Sequence, residues 1–125
     1  MRLRDDLYKI ERTDKEDGKT KYELTLNPEH YIYKAHFPGE PITPGVCIIK
    51  IGIELLEEIT GEKLELAKAK NIKFKDIITP TEDRELTFTI DKITKNEETG
   101  EIAAQITVTT KTSLKTKLSF TCKNV

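Results

Sequence analysis

The residues His36-Phe37-Pro38-Gly39-Glu40-Pro41-Ile42-Thr43-Pro44-Gly45-Val46 are the most tightly constrained stretch of this 125-residue chain. Three prolines and two glycines among these eleven residues fix the backbone around one imidazole and feed it into an apolar run of helical character. A helix that begins here aims its free N–H groups and positive dipole end at whatever lies in front of it, a setting that suits a carbonyl oxygen or an anion. A carbonyl held on the N–H of Gly45 would be polarised as negative charge develops on it, with His36 near enough to take a proton.

The elements that position this segment follow from periodicity. From Pro44 to about Thr60 the apolar residues Val46, Ile48, Ile49, Ile51, Ile53, Leu55, Leu56 and Ile59 cover most of a helical circumference, so a largely buried helix is expected over about 44–60. Thr43 is the expected N-cap, Pro44 the first helical residue, and Thr60-Gly61 the stop. Lys50, Glu54, Glu57 and Glu58 share one stripe of that helix. Glu57 and Glu58 read as solvated, whereas Lys50 and Glu54 either face a site or pair with each other. Cys47 reads as a small hydrophobe in a buried turn.

Elsewhere apolar and polar residues alternate at the period of a strand with one dry face. Tyr22, Leu24 and Leu26 do so, as do Leu86, Phe88 and Ile90, then Ile102, Ala104, Ile106 and Val108, then Leu114, Leu118, Phe120 and Cys122. Ile72 and Phe74 suggest a further strand, and Leu7 to Ile10 a weaker first one. Asp17-Gly18 and Glu98-Thr99-Gly100 carry hairpin chemistry, and Thr79-Pro80-Thr81 is a break. A single α+β domain spanning 1–125 is expected, its antiparallel sheet curled around one helix because the two dry surfaces need each other.

Composition narrows the partners. The net charge of −1 offers no basic excess for a phosphate backbone, which argues against nucleic acid. No apolar run approaches the roughly 20 residues of a membrane span, and the start Met1-Arg2-Leu3-Arg4-Asp5-Asp6 lacks a signal-peptide core, so a cytoplasmic protein is expected. Cys47 and Cys122, with only His30 and His36 beside them, match no metal spacing, and no metal is expected. His30 reads as a surface residue, and Tyr31 and Tyr33 first as packing under the loop or at a contact between subunits and second as lining a tunnel. The lysines at 68, 70, 73 and 75 read first as the wet face of a strand and second as an attractor for an acidic carrier protein.

The run H-F-P-G-x-P-x-x-P-G-V, here His36 to Val46, resembles the signature of the 3-hydroxyacyl-[acyl-carrier-protein] dehydratases of the hotdog fold, and the resemblance extends over roughly residues 6–123. It implies a curved antiparallel sheet wrapped around the central helix and a homodimer, with a trimer of dimers or a heterodimer as further arrangements. It implies a hydroxyacyl chain carried on acyl-carrier protein or coenzyme A, loss of water to give a trans-2-enoyl thioester in fatty-acid or polyene synthesis, and no cofactor. His36 matches the family's catalytic histidine. Gly45 matches the donor to the thioester carbonyl, and Phe37, Pro44 and Val46 are the further substrate-binding positions. The family's acidic position on the helix, supplied to the opposite subunit's site, is occupied here by Lys50. Glu54 follows one turn later, about 5.4 Å along the axis, and is the other candidate for the missing role. Two alternatives stand beside the dehydratase: a catalytically impaired acyl-binding subunit that needs a partner's carboxylate, and an acyl thioesterase in which Glu54 activates water.

Overall fold

The computed structural model describes residues 2–35 and 39–125. Alternation becomes strands at β1 (Tyr8–Glu16), β2 (Lys19–Leu26), β3 (Leu64–Phe74), β4 (Glu85–Lys95), β5 (Ile102–Thr109) and β6 (Leu114–Asn124), and the helical run becomes α2 (Gly45–Thr60), preceded by a short α1 (Ile32–Ala35). The strands form one antiparallel sheet in the order β1-β2-β4-β5-β6-β3. The chain makes the β1–β2 hairpin at one edge, crosses through α2 to lay β3 at the far edge, and fills the middle with β4, β5 and β6. Asp17 and Gly18 both have positive φ, 48° and 75°, as a two-residue hairpin loop with native twist requires.

The inward residues of the strands and one face of α2 make a common core around Ile51, Leu55, Leu56, Phe88, Ile106 and Phe120. Gly52 lies where helix and sheet approach closely: a Cβ there would stand 2.9 Å from Ile106 Cδ1, so that side chain would have to shift to admit one. This is the α+β hotdog arrangement that the sequence resemblance implies. Edge strand β3 is mostly exposed, carries two irregularities against β6, and has no strand on its outer side among the described residues. No helix among the described residues is long and apolar enough to cross a membrane.

Three expectations are corrected. Thr43 does not cap α2: Pro44 is the N-cap, without a side-chain cap, because the Thr43 hydroxyl is paired at 3.0 Å with Tyr33 Oη in a buried contact. His30 is buried rather than on the surface. Ile32 N–H donates to its Nδ1 at 3.1 Å, so the proton sits on Nε2, which faces Asp6 Oδ2 at 3.1 Å. Glu54 leaves the wet stripe, being only 2% exposed. The C-terminal stop is as expected, with Gly61 at φ 73° donating its N–H to Glu57 O.

Candidate functional site

The N-cap makes no side-chain hydrogen bond, Cys47 and Ile48 N–H donate to Pro44 O, and Gly45 in the first turn of α2 borders a cleft. The cleft holds about 470 Å³ and is lined by Ile42, Thr43, Pro44, Gly45 and Ile48 from the helix side and by Phe74, Asp76, Ile77 and Ile78 from β3 and the loop after it. Its walls are mainly aliphatic, with the helix N-terminus at one side and the Asp76 carboxylate at the other as its polar groups, and the helix side suits an aliphatic chain ending in a carbonyl.

Gly45 is glycine for a reason visible here. A Cβ on it would stand 2.7 Å from Phe74 Cζ and 2.9 Å from Phe74 Cε2, so the ring edge rests where a side chain would be. Thr43 ties the helix start to the opposite wall, its N–H donating to Ile78 O at 2.8 Å while its hydroxyl meets Tyr33 of α1. Burial pushes the Tyr33 phenol up, keeping it neutral.

The opposite wall is pinned by a buried cation. Lys115 Nζ lies 3.1 Å from Asp76 and 3.4 Å from Asp83, and its carbonyl accepts from the N–H groups of Lys75 and Asp76. Burial alone would lower the Lys115 ammonium, but the hydrogen bonds and charges of the two aspartates outweigh it and raise it. The hydrogen bond from Lys115, then the backbone N–H of Ile77, hold Asp76 below the usual carboxylate range.

The sequence candidates separate in space. Gly45 and Pro44 line the cleft, whereas Val46 is 75% exposed on the outer face of α2 and does not. His36 and Phe37 lie outside the described residues, between α1 and the cleft-lining Ile42 in sequence. Lys50 is half-buried, with no hydrogen bond or ion pair among the described residues. Glu54 is not on the cleft wall. Its carboxylate accepts from Leu3 N–H at 2.7 Å, Arg4 N–H at 2.9 Å and Tyr8 Oη at 2.8 Å, which straps the N-terminal turn onto the helix. Burial, and then Glu54 itself, push the Tyr8 phenol up.

Tyr8, Phe74 and Lys115 are not among the site candidates the sequence offers. Lys115 carries no signal, because it alternates in step with Lys117, Ser119 and Thr121 on the wet side of β6.

Comparison with known proteins agrees with the fold. The family model for ApeI-like proteins, described as ApeI dehydratase, matches residues 11–111. The 3-hydroxyacyl-[acyl-carrier-protein] dehydratase FabZ of Ligilactobacillus salivarius is 30% identical over 98 residues, 73% of this chain and 69% of that protein. The FabZ of Fusobacterium nucleatum is 34% identical over 83 residues, 62% of this chain and 57% of that protein. Among solved structures, the dehydratase heterocomplex ApeI:P from Xenorhabdus doucetiae aligns with a TM-score of 0.66 at 15% identity, covering 92% of this chain and 96% of that one. An uncharacterised protein of Pyrococcus horikoshii aligns with a TM-score of 0.61 at 15% identity, covering 88% and 78%. With its signature run, its sheet order and a family match over most of its length, the chain belongs to the ApeI-like dehydratase family of the hotdog fold.

Proposed function

We propose that this protein eliminates water from a 3-hydroxyacyl thioester to give the trans-2-enoyl thioester. The observation that carries the reading is the aliphatic cleft ending on the uncapped start of α2, where Gly45 N–H can hold the thioester carbonyl. In that pose His36 takes a proton from C2. The C2–H electrons form the C2=C3 double bond, the C3–O bond breaks, and the hydroxyl leaves as water once it has received a proton. The carbonyl oxygen gains negative charge as C2 loses its proton, and Gly45 N–H stabilises it there. Glu54 stays with the N-terminal strap, so delivery of the second proton falls to Lys50. An ammonium is a weaker acid than a carboxylic acid at neutral pH, which makes this the demanding step. The acyl group is carried on acyl-carrier protein or coenzyme A, in the cytoplasm.

The family's tunnel lies between subunits, and a dimer through the open β3 edge and the exposed flank of α2 around Val46 is part of the proposal. The cationic Lys50 favours a second arrangement in which the chain pairs with a different hotdog subunit, whose carboxylate completes the site around His36. The ApeI:P neighbour is a dehydratase heterocomplex, which supports that arrangement.

The test is enoyl formation from a short 3-hydroxyacyl thioester, followed by absorbance in the wild type, His36→Ala and Lys50→Glu. Turnover lost in His36→Ala supports the self-sufficient enzyme. A silent wild type with activity gained in Lys50→Glu moves the acid to a partner subunit. Hydrolysis to the free acid without enoyl product would replace the dehydratase by a thioesterase.

A further inference from the structure

The Phe74 ring is oddly placed for a large apolar side chain. It sits on the inner side of β3, opposite Thr116 of β6, yet is 48% exposed, because it is spent on the helix start rather than on the core. Its leading edge, Cζ and both Cε atoms, lies 2.7 to 3.3 Å from where a Gly45 Cβ would be. The backbone beneath the ring is fixed on both sides. Phe74 is in register with Thr116, and the next two N–H groups donate to Lys115 O at 2.8 and 3.2 Å. Asp76 is further held by the Lys115 ammonium. The ring therefore stands at a defined place beside the polar pole of the cleft, with Ile48, Ile77 and Ile78 forming the remaining aliphatic wall.

We propose that Phe74 sets specificity at the carbon next to the thioester carbonyl, admitting acyl chains unbranched at C2 and turning away those with a methyl group there. This rests on the acyl-thioester reading of the cleft. A carbonyl oxygen accepting from Gly45 N–H at about 2.9 Å places C2 two bonds beyond that oxygen, in the space the ring borders. A hydrogen on C2 fits against the ring edge. A methyl group there meets the same carbons that a Cβ on Gly45 would meet, and is admitted only if the ring swings away about its χ angles, since the backbone that carries it is held to Lys115.

The test uses thioesters that cannot dehydrate, so that binding is read apart from turnover. Dissociation constants for the butyryl and 2-methylbutyryl thioesters of N-acetylcysteamine are measured by ligand-observed NMR in the wild type, Phe74→Ala and Phe74→Leu, each checked for an unchanged circular dichroism spectrum. The wild type is expected to prefer the unbranched ligand by about tenfold, the scale of one misplaced methyl group in a pocket. Phe74→Ala should bring the preference to within about twofold, and Phe74→Leu should fall between. A preference unchanged in Phe74→Ala, or no binding of either thioester to the wild type, overturns the proposal. Selective binding that Phe74 controls, in a protein that forms no enoyl product, would leave this inference standing and remove the dehydratase reading alone.

Discussion

Replacing Glu54 by glutamine removes a charge and half of an acceptor set while leaving the shape almost unchanged. In the wild type Oε2 accepts from Leu3 N–H at 2.7 Å, and Oε1 accepts from Arg4 N–H at 2.9 Å and Tyr8 Oη at 2.8 Å. Glutamine has one carbonyl oxygen. Turned to keep the Oε1 pair, it points its NH₂ at Leu3 N–H and leaves a buried donor facing a donor. A hydrogen bond to a charged group contributes about 1.5–3 kcal/mol, and an orphaned buried donor costs about 1–3 kcal/mol. The two overlap for one N–H, and the expected loss is about 3 kcal/mol, a large share of the 5–15 kcal/mol typical of a small domain. Tyr8→Phe removes one donor to that carboxylate and should cost about 1.5–3 kcal/mol. Urea unfolding with unchanged m reads both, and the double variant should cost less than the sum because the two changes share one bond. Amide exchange should show the turn around Leu3 and Leu7 opening first in Glu54→Gln, since those buried side chains lose their strap. A Glu54→Gln protein within 0.5 kcal/mol of wild type would refute the anchoring role, since no such change is compatible with three buried bonds to one carboxylate.

Two further perturbations follow from the cleft walls. Gly45→Ala should destabilise by about 1–2 kcal/mol through its contact with the Phe74 ring, whereas in a Phe74→Ala background the same change should be neutral or stabilising, as alanine is the better helix former; thermal unfolding of the four proteins reads the reversal. Lys115→Met should flatten the pH dependence of stability at both ends. The raised Lys115 contributes stability that is complete below its unfolded value near 10.4 and is lost as pH rises through its folded value. The lowered Asp76 contributes stability present above about 3.9 and lost as pH falls through its folded value. Denaturant midpoints measured across acid and alkaline pH in both proteins check each limb, and parallel curves would contradict the latch.

The strands and the long helix were legible because each writes its own period into the chain: Leu86, Phe88 and Ile90 alternate, and Ile48, Ile51 and Leu55 recur at helical spacing. The signature run was legible for the same reason, since its prolines and Gly45 are local. What stayed hidden depends on contacts made at long range. Glu54 sits on a helical stripe with Lys50, Glu57 and Glu58 and reads as facing a site or pairing with Lys50, and only the fold brings the N–H groups of Leu3 and Arg4 to it. Thr43 has the residue type of an N-cap and loses that role to Tyr33, ten positions earlier. His30 looks like a loop histidine until Asp6 and Ile32 close around its two nitrogens. Phe74 reads as one more strand residue, and its contact with Gly45 appears only when β3 is laid beside the start of α2.

The most direct measurement is the appearance of the enoyl thioester from a short 3-hydroxyacyl thioester with the purified wild-type protein. Dehydration by the chain itself predicts turnover that His36→Ala abolishes while leaving the melting temperature unchanged. No enoyl product from the wild type, with or without a co-purified hotdog partner, would contradict it.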